Sequence, residues 1–94
     1  MLSHDVMIRT SDSHGIFDRD TLELINPAKD VRLGDHVWLG NGARVNKGSH
    51  IGDGTVIAQT SLVSGDIPAH CIAGGTPARV LRENILWSRT MQLP

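Results

Sequence analysis

From Leu33 to Val63 an aliphatic residue returns at every sixth position: Leu33, Leu39, Val45, Ile51, Ile57 and Val63. Leu, Ile and Val make up roughly a quarter of the chain, so an unbroken run of six at a fixed phase is about a one-in-a-few-thousand event. The positions that follow are Gly34, Gly40, Asn46, Gly52, Ala58 and Ser64. Four places after each aliphatic stand Val37, Ala43, Ser49, Thr55, Ser61 and Ile67, which are mostly small or β-branched. Neither the period of an α-helix nor the alternation of a half-buried strand produces this spacing.

A period of six belongs to a parallel β-helix. Each hexad forms one short flat face, and three faces close a triangular coil of about eighteen residues. The first aliphatic points inward and stacks with its equivalents in neighbouring coils. The residue four places later must be small to fit beside that column, and the turns need Gly or Asn for tight or positive-φ backbone. Residues 33–50 are expected to form one coil and 51–68 the next. Two further hexads start at Leu2 (with Val6) and Ile8 (with Asp12), one residue out of phase with Leu33. The stretch 14–30, "HGIFDRDTLELINPAKD", must therefore leave the coil as an excursion loop, and loops on rigid scaffolds often carry function. After residue 68 the repeat ends. "AGGTPARVL" reads as a Gly/Pro turn, and Leu81, Ile85 and Leu86 in the following segment suit one helix face. The expectation is an all-β domain over 1–82, of about three coils, and a short C-terminal α-helix and tail over 83–94. The N-terminal coil end has no cap, and repeat proteins normally need one, so an oligomer is expected.

Composition agrees with a thin prism. Phe17, Trp38 and Trp87 are the only aromatics among 94 residues, and a narrow column has no room for such rings. The net charge of -1 points to neither a nucleic-acid nor a membrane-surface partner. No apolar run is long enough to span a bilayer, and "MLSHDVMIRT" lacks the pattern of a secretory signal. A cytoplasmic protein is the expectation. Cys71, the single cysteine, rules out an internal disulfide and reads as a small buried residue rather than a nucleophile.

"LGDHVWLGNG" together with "IGDGTVIAQTSLVSGDIPAHCIAGGTPARVL" resembles the hexapeptide-repeat acetyltransferases. The likeness is to the sugar and capsular-polysaccharide O-acetyltransferases, with the galactoside, maltose and xenobiotic acetyltransferases nearby, and it covers roughly residues 5–87. It implies a left-handed β-helix and a homotrimer with active sites between subunits, with a dimer of trimers as the further option. It implies acetyl transfer from acetyl-CoA to a hydroxyl, or less often an amine, of a sugar, polysaccharide or small xenobiotic. No metal is implied. "TSDSHGIFD" resembles the family segment bearing the catalytic histidine, which lies twenty-four residues before the Trp of a "VWIG"-like motif; His14 stands at that distance from Trp38. An acceptor hydroxyl needs its proton removed, and an imidazole with a pKa of about 6.5 suits that task near neutrality. The tetrahedral intermediate needs a donor for its oxyanion. By resemblance, Trp38 supplies its indole N–H or positions the thioester, and either Asp12 or a backbone carbonyl orients His14.

The same resemblance puts CoA contacts at Asn41, Gln59, Ser64 and Gly65, mainly through backbone. Arg79 and Arg82, after the "GxPA" motif, match positions that pair with phosphates, and Lys47 is a weaker candidate. The chain departs from the family in two respects. Many relatives have Lys at the position of Gly65, and family members usually carry many more residues upstream, which supply further coils and part of the acceptor pocket. Two rivals follow. A non-catalytic trimeric scaffold or CoA-binding remnant is consistent with the missing upstream half. A zinc enzyme on this fold, like the γ-class carbonic anhydrases, needs closely spaced histidines, whereas those here stand at positions 4, 14, 36, 50 and 70.

Overall fold

A computed structural model describes residues 1–94. Ten short strands follow one another: β1 (Met7–Ile8), β2 (Arg32–Leu33), β3 (Trp38–Leu39), β4 (Arg44–Val45), β5 (His50–Ile51), β6 (Val56–Ile57), β7 (Leu62–Val63), β8 (Asp66–Ile67), β9 (Ile72–Gly75) and β10 (Ala78–Arg82). They form three sheets, β1-β4-β7, β2-β5-β8 and β3-β6-β9-β10. These are the faces of a prism, called here faces I, II and III. All pairings are parallel except β9–β10. Leu2 begins a further turn of face III through a parallel bridge to Leu39.

The inward columns run Ile8–Val45–Val63 on face I, Leu33–Ile51–Ile67 on face II and Leu39–Ile57–Ala73 on face III. Val45, Ile57, Val63 and Leu39 are fully buried, and each such side chain contributes about 1.5–3 kcal/mol of hydrophobic stabilisation. Beside the columns lie Ala43, Ser49, Thr55, Ser61 and Cys71, all buried. Their polar atoms are satisfied: Ser49 Oγ donates to the Val63 carbonyl, Thr55 Oγ1 donates to that of Pro68, and Ser61 Oγ accepts from Gly75 N–H. No buried side-chain polar atom lacks a partner, as the high cost of orphaned groups demands.

One coil departs from the sequence expectation. Successive coils pair residues eighteen apart, as in Leu33–Ile51 and Val45–Val63, but Ile51 pairs with Ile67 and Ile57 with Ala73. Only Ser64 and Gly65 link β7 to β8, where residues 46–49 link β4 to β5. Gly65 turns the chain at φ +116, a conformation an L side chain adopts only under strain. The repeat therefore does not stop at residue 68. A two-residue deletion moves Ile67 from the small position into the column, and Cys71 fills the small position next to Thr55.

The C-terminal helix is not formed; no segment of the chain is helical. Residues 78–82 instead return along β9 as an antiparallel strand after the Thr76–Pro77 turn. Beyond it, Asn84 has φ +57, which interrupts any helix, and Ile85 N–H donates to the His70 carbonyl. Trp87 then anchors the tail. Its ring stacks on His36 at 3.8 Å and 7°, and its Nε1–H donates to the His36 carbonyl at 2.8 Å. Leu81 and Leu86, expected on a buried helix face, are exposed. At the other end Leu2, Ile8 and Leu33 are exposed, because no coil precedes them in the described chain.

Candidate active site

The expected site residues fall on different edges of the prism. The edge between faces I and II carries the excursion, residues 9–31, which leaves after β1 and returns at β2. Its outer part is a small hairpin in which Phe17 bridges Leu24. Asp18 caps the turn by accepting from the N–H groups of Asp20 and Thr21, bonds that hold its carboxyl below the usual carboxylate range.

His14 sits at the base of that loop, exposed, with no partner on its imidazole nitrogens among the hydrogen bonds of the chain. Its backbone is held firmly. Asn26 Nδ2 donates to the His14 carbonyl at 2.9 Å and to Asp12 Oδ2 at 3.0 Å, while Asn26 Oδ1 accepts from Ile16 N–H. Lys47, on the next coil below, pairs with Asp12 Oδ2 at 2.6 Å and donates to the Asn26 carbonyl at 2.9 Å. The hydrogen bond from Lys47, then that from Asn26, lowers the Asp12 pKa. Asp12 therefore braces the loop and does not touch the His14 ring. Lys47 is engaged in that brace rather than standing free for a phosphate.

The edge between faces III and I carries Asn41 and Gln59. With Trp38 they line a groove of about 290 Å³ along face III, whose floor includes Val56 and Ala58. The turns stack closely here: a Cβ on Gly40 would lie 2.7 Å from Gln59 N, so glycine lets adjacent coils touch. Thr60 N–H donates to the Asn41 carbonyl, and Asn41 Oδ1 accepts from His4 N–H. The half-buried Trp38 turns its Nε1–H to Ser3 Oγ at 3.3 Å. That bond is at the long end for N–H···O. Trp38 also leans on Trp87, with ring centroids 5.7 Å apart.

Ser64 and Gly65 lie on the edge of faces I and II, on the His14 side. There Gly65 N–H donates to Ser49 Oγ and its carbonyl accepts from His50 N–H. Arg79 and Arg82 lie on the exposed strand β10, opposite Gly74 and Ile72, and neither forms an ion pair. One chain thus assembles Trp38, Asn41 and Gln59 into one cluster and His14, Ser64 and Gly65 along another edge. Sequence reasoning missed Asn26, Ser3 and the His36–Trp87 stack. The "NPAKD" cluster marks a turn, but nothing in it shows a carboxamide reaching back across the loop. Cys71 is buried, with Sγ facing the Pro68 carbonyl at 3.2 Å. No three His, Cys, Asp or Glu side chains are grouped to hold a metal ion.

Residues 30–65 match the family model described as bacterial transferase hexapeptide (six repeats). A polysialic acid O-acetyltransferase from Escherichia coli O1:K1 / APEC is 42% identical over 90 residues, covering 96% of this chain and 29% of that protein. The crystal structure of the polySia specific acetyltransferase NeuO superposes with a TM-score of 0.90 at 42% identity, over 94% of this chain and 41% of its own. The hexapeptide-repeat acetyltransferase of Vibrio cholerae O1 biovar eltor complexed with acetyl coenzyme A gives a TM-score of 0.68 at 34% identity, over 83% of this chain and 42% of its own. The fold and its repeat are those of the hexapeptide transferases, with the left-handed winding of that class. The chain carries the hexapeptide repeat of the bacterial transferases over residues 30–65, and it is similar to the polysialic acid O-acetyltransferases over nearly all of its length. It spans less than half the length of these relatives.

Proposed function

We propose that this chain binds acetyl-CoA and transfers its acetyl group to a hydroxyl of a saccharide acceptor, with His14 as general base. The observation that carries this reading is the exposed imidazole of His14 on a loop tied by Asn26 at two backbone groups and the Asp12 carboxylate, in a chain that is 42% identical over 90 residues to a polysialic acid O-acetyltransferase. The groove at Trp38, Asn41 and Gln59, of about 290 Å³ and running between stacked coils, suits an extended pantetheine arm. Arg79 and Arg82 are unpaired cations available to phosphates. The separation of His14 from that groove within one chain is what a homotrimer with inter-subunit sites requires, since a neighbour's edge must complete each site.

In this reading the imidazole takes the acceptor hydroxyl proton as the oxygen attacks the thioester carbonyl. The C–O bond forms, the tetrahedral intermediate places its charge near an N–H donor such as Trp38 Nε1, and the C–S bond breaks. The imidazolium then returns the proton to the departing CoA thiolate. The test measures CoA thiol released from acetyl-CoA in the presence of saccharides, with solution mass determined alongside. Acceptor-dependent release by a trimer, lost in His14→Ala, is expected. Saturable CoA binding without turnover by any acceptor would favour the CoA-binding scaffold, and undiminished turnover by His14→Ala would remove the histidine from the mechanism.

A further inference from the structure

The excursion loop is an exposed segment with few apolar anchors: Ile16, Phe17, Leu22, Leu24 and Ile25 are all exposed. Such a loop ordinarily samples many conformations. A general base must instead stay within hydrogen-bond reach of the proton it removes, and an error of about 1 Å can cost on the order of a hundredfold in rate. Some group in the loop must therefore supply order that hydrophobic packing does not.

That group is visible. The half-buried carboxamide of Asn26 uses its oxygen and both donor directions on one short stretch: Ile16 N–H, the His14 carbonyl and the Asp12 carboxylate. Residues on both sides of His14 and His14 itself are thus fastened to one side chain. The clamp is in turn bolted to the prism, because Lys47 follows β4 and grips both the Asp12 carboxylate and the Asn26 carbonyl. The Lys47 side chain is 17% exposed and that of Asp12 48%, so the lysine end of the pair is held against the prism while the carboxylate end meets solvent. Arg9 adds a lighter tie by donating to Ser13 Oγ at 2.9 Å.

We infer that Asn26 is the positioning residue for His14, and that Lys47 and Asp12 transmit the rigidity of the β-helix to it. The inference rests on the reading of His14 as general base. None of the three needs to touch substrate; their effect on turnover passes through the imidazole's location. A carboxamide is required at position 26 because only an amide offers an acceptor and two donors in one plane. Aspartate there would keep an acceptor for Ile16 N–H but lose both donors and set a second carboxylate against Asp12. A cationic donor is required at position 47 to hold the Asp12 carboxylate and the Asn26 carbonyl together.

The test uses the full chain and compares Asn26→Leu, Asn26→Asp, Lys47→Met and Lys47→Arg with wild type and His14→Ala. Three readouts are taken: kcat and KM for acetyl-CoA, the pH dependence of kcat/KM, and amide hydrogen exchange at residues 13–16. The expected result for Asn26→Leu is a kcat lower by about ten- to a hundredfold. Its KM for acetyl-CoA stays close to wild type, and exchange at Ile16 is accelerated. Asn26→Asp behaves alike. Lys47→Met falls between, and Lys47→Arg recovers most of the lost kcat. Wild-type kcat in Asn26→Leu while His14→Ala is inactive would overturn the positioning role. If His14→Ala stays active, the general-base reading fails instead. Exchange then judges the clamp by itself, and an unchanged Ile16 amide in Asn26→Leu refutes it.

Discussion

Replacing Trp87 by alanine should release the C-terminal tail and leave the prism intact. The indole is 8% exposed, lies flat on the His36 ring at 3.8 Å and donates to the His36 carbonyl. His36 Nε2 answers with a contact to the Trp87 carbonyl at 3.0 Å. Removing a buried Trp costs about 3–5 kcal/mol. The aromatic pair accounts for about 0.5–1.5 kcal/mol of that and the hydrogen bond for about as much. Apart from Ile85 N–H on the His70 carbonyl, no backbone bond ties residues 83–94 to the coils. The loss therefore exceeds what holds the tail and is spent locally. A loss of about 3 kcal/mol corresponds to an exchange rate faster by about a hundredfold. Hydrogen exchange at the Ile85 amide, the one tail amide bonded to the coils, should show that acceleration, with protection at β4–β7 unchanged. Trp38 would become the sole indole, and its fluorescence should shift toward that of a solvated ring, since Trp87 shields one side of it. Unaltered exchange in the tail, or loss of protection throughout the coils, would refute the view that one stacked pair fastens the terminus to an independently stable prism.

Three further outcomes follow from the geometry. Ile57→Ala empties the middle of a column whose neighbours Leu39 and Ala73 are fixed by backbone ladders, so urea unfolding at matched protein concentration should show a loss of about 2–5 kcal/mol. Gly52→Ala places a Cβ 2.4 Å from Ala69 N and must shift backbone. Gly65→Ala meets nothing within 4 Å and suffers only from its positive φ, about 1–2 kcal/mol; thermal melting should rank Gly52→Ala as the more damaging. The Asp12 carboxyl has a lowered pKa in the folded chain, chiefly from Lys47. Its contribution is present above its ordinary value of 3.8 and fades as pH falls through the lower folded value. Amide exchange at Ile16, corrected for the intrinsic rate, should accelerate as pH drops below about 4, and Lys47→Met should flatten that dependence.

The wall of the prism was legible in the sequence because an inward column needs an aliphatic at a fixed step, and no other regular structure repeats every six residues. Leu39, Val45, Ile51, Ile57 and Val63 stand where the period puts them. The excursion loop was legible as a break in phase. The shortened edge at Ser64–Gly65 was not, because Ile67 is as acceptable beside the column as within it; only the strand pairing of Ile67 with Ile51 decides. The tail was misread as a helix because Leu81, Ile85 and Leu86 satisfy a helical spacing. Spacing carries no information about the stacking surface that His36 offers Trp87 from across the chain. Among the site residues, the resemblance singled out His14, Trp38, Asn41 and Gln59, and the fold gathers the last three around one groove. What holds His14 was decided by tertiary structure alone. Lys47, Asp12 and Asn26 are distant in sequence, and they meet because the coil below the loop presents Lys47 where the loop closes. A repeat fixes what points inward, since burial has one answer at each position. What meets on the outside depends on which edges the turns bring together, and that is a property of the wound chain.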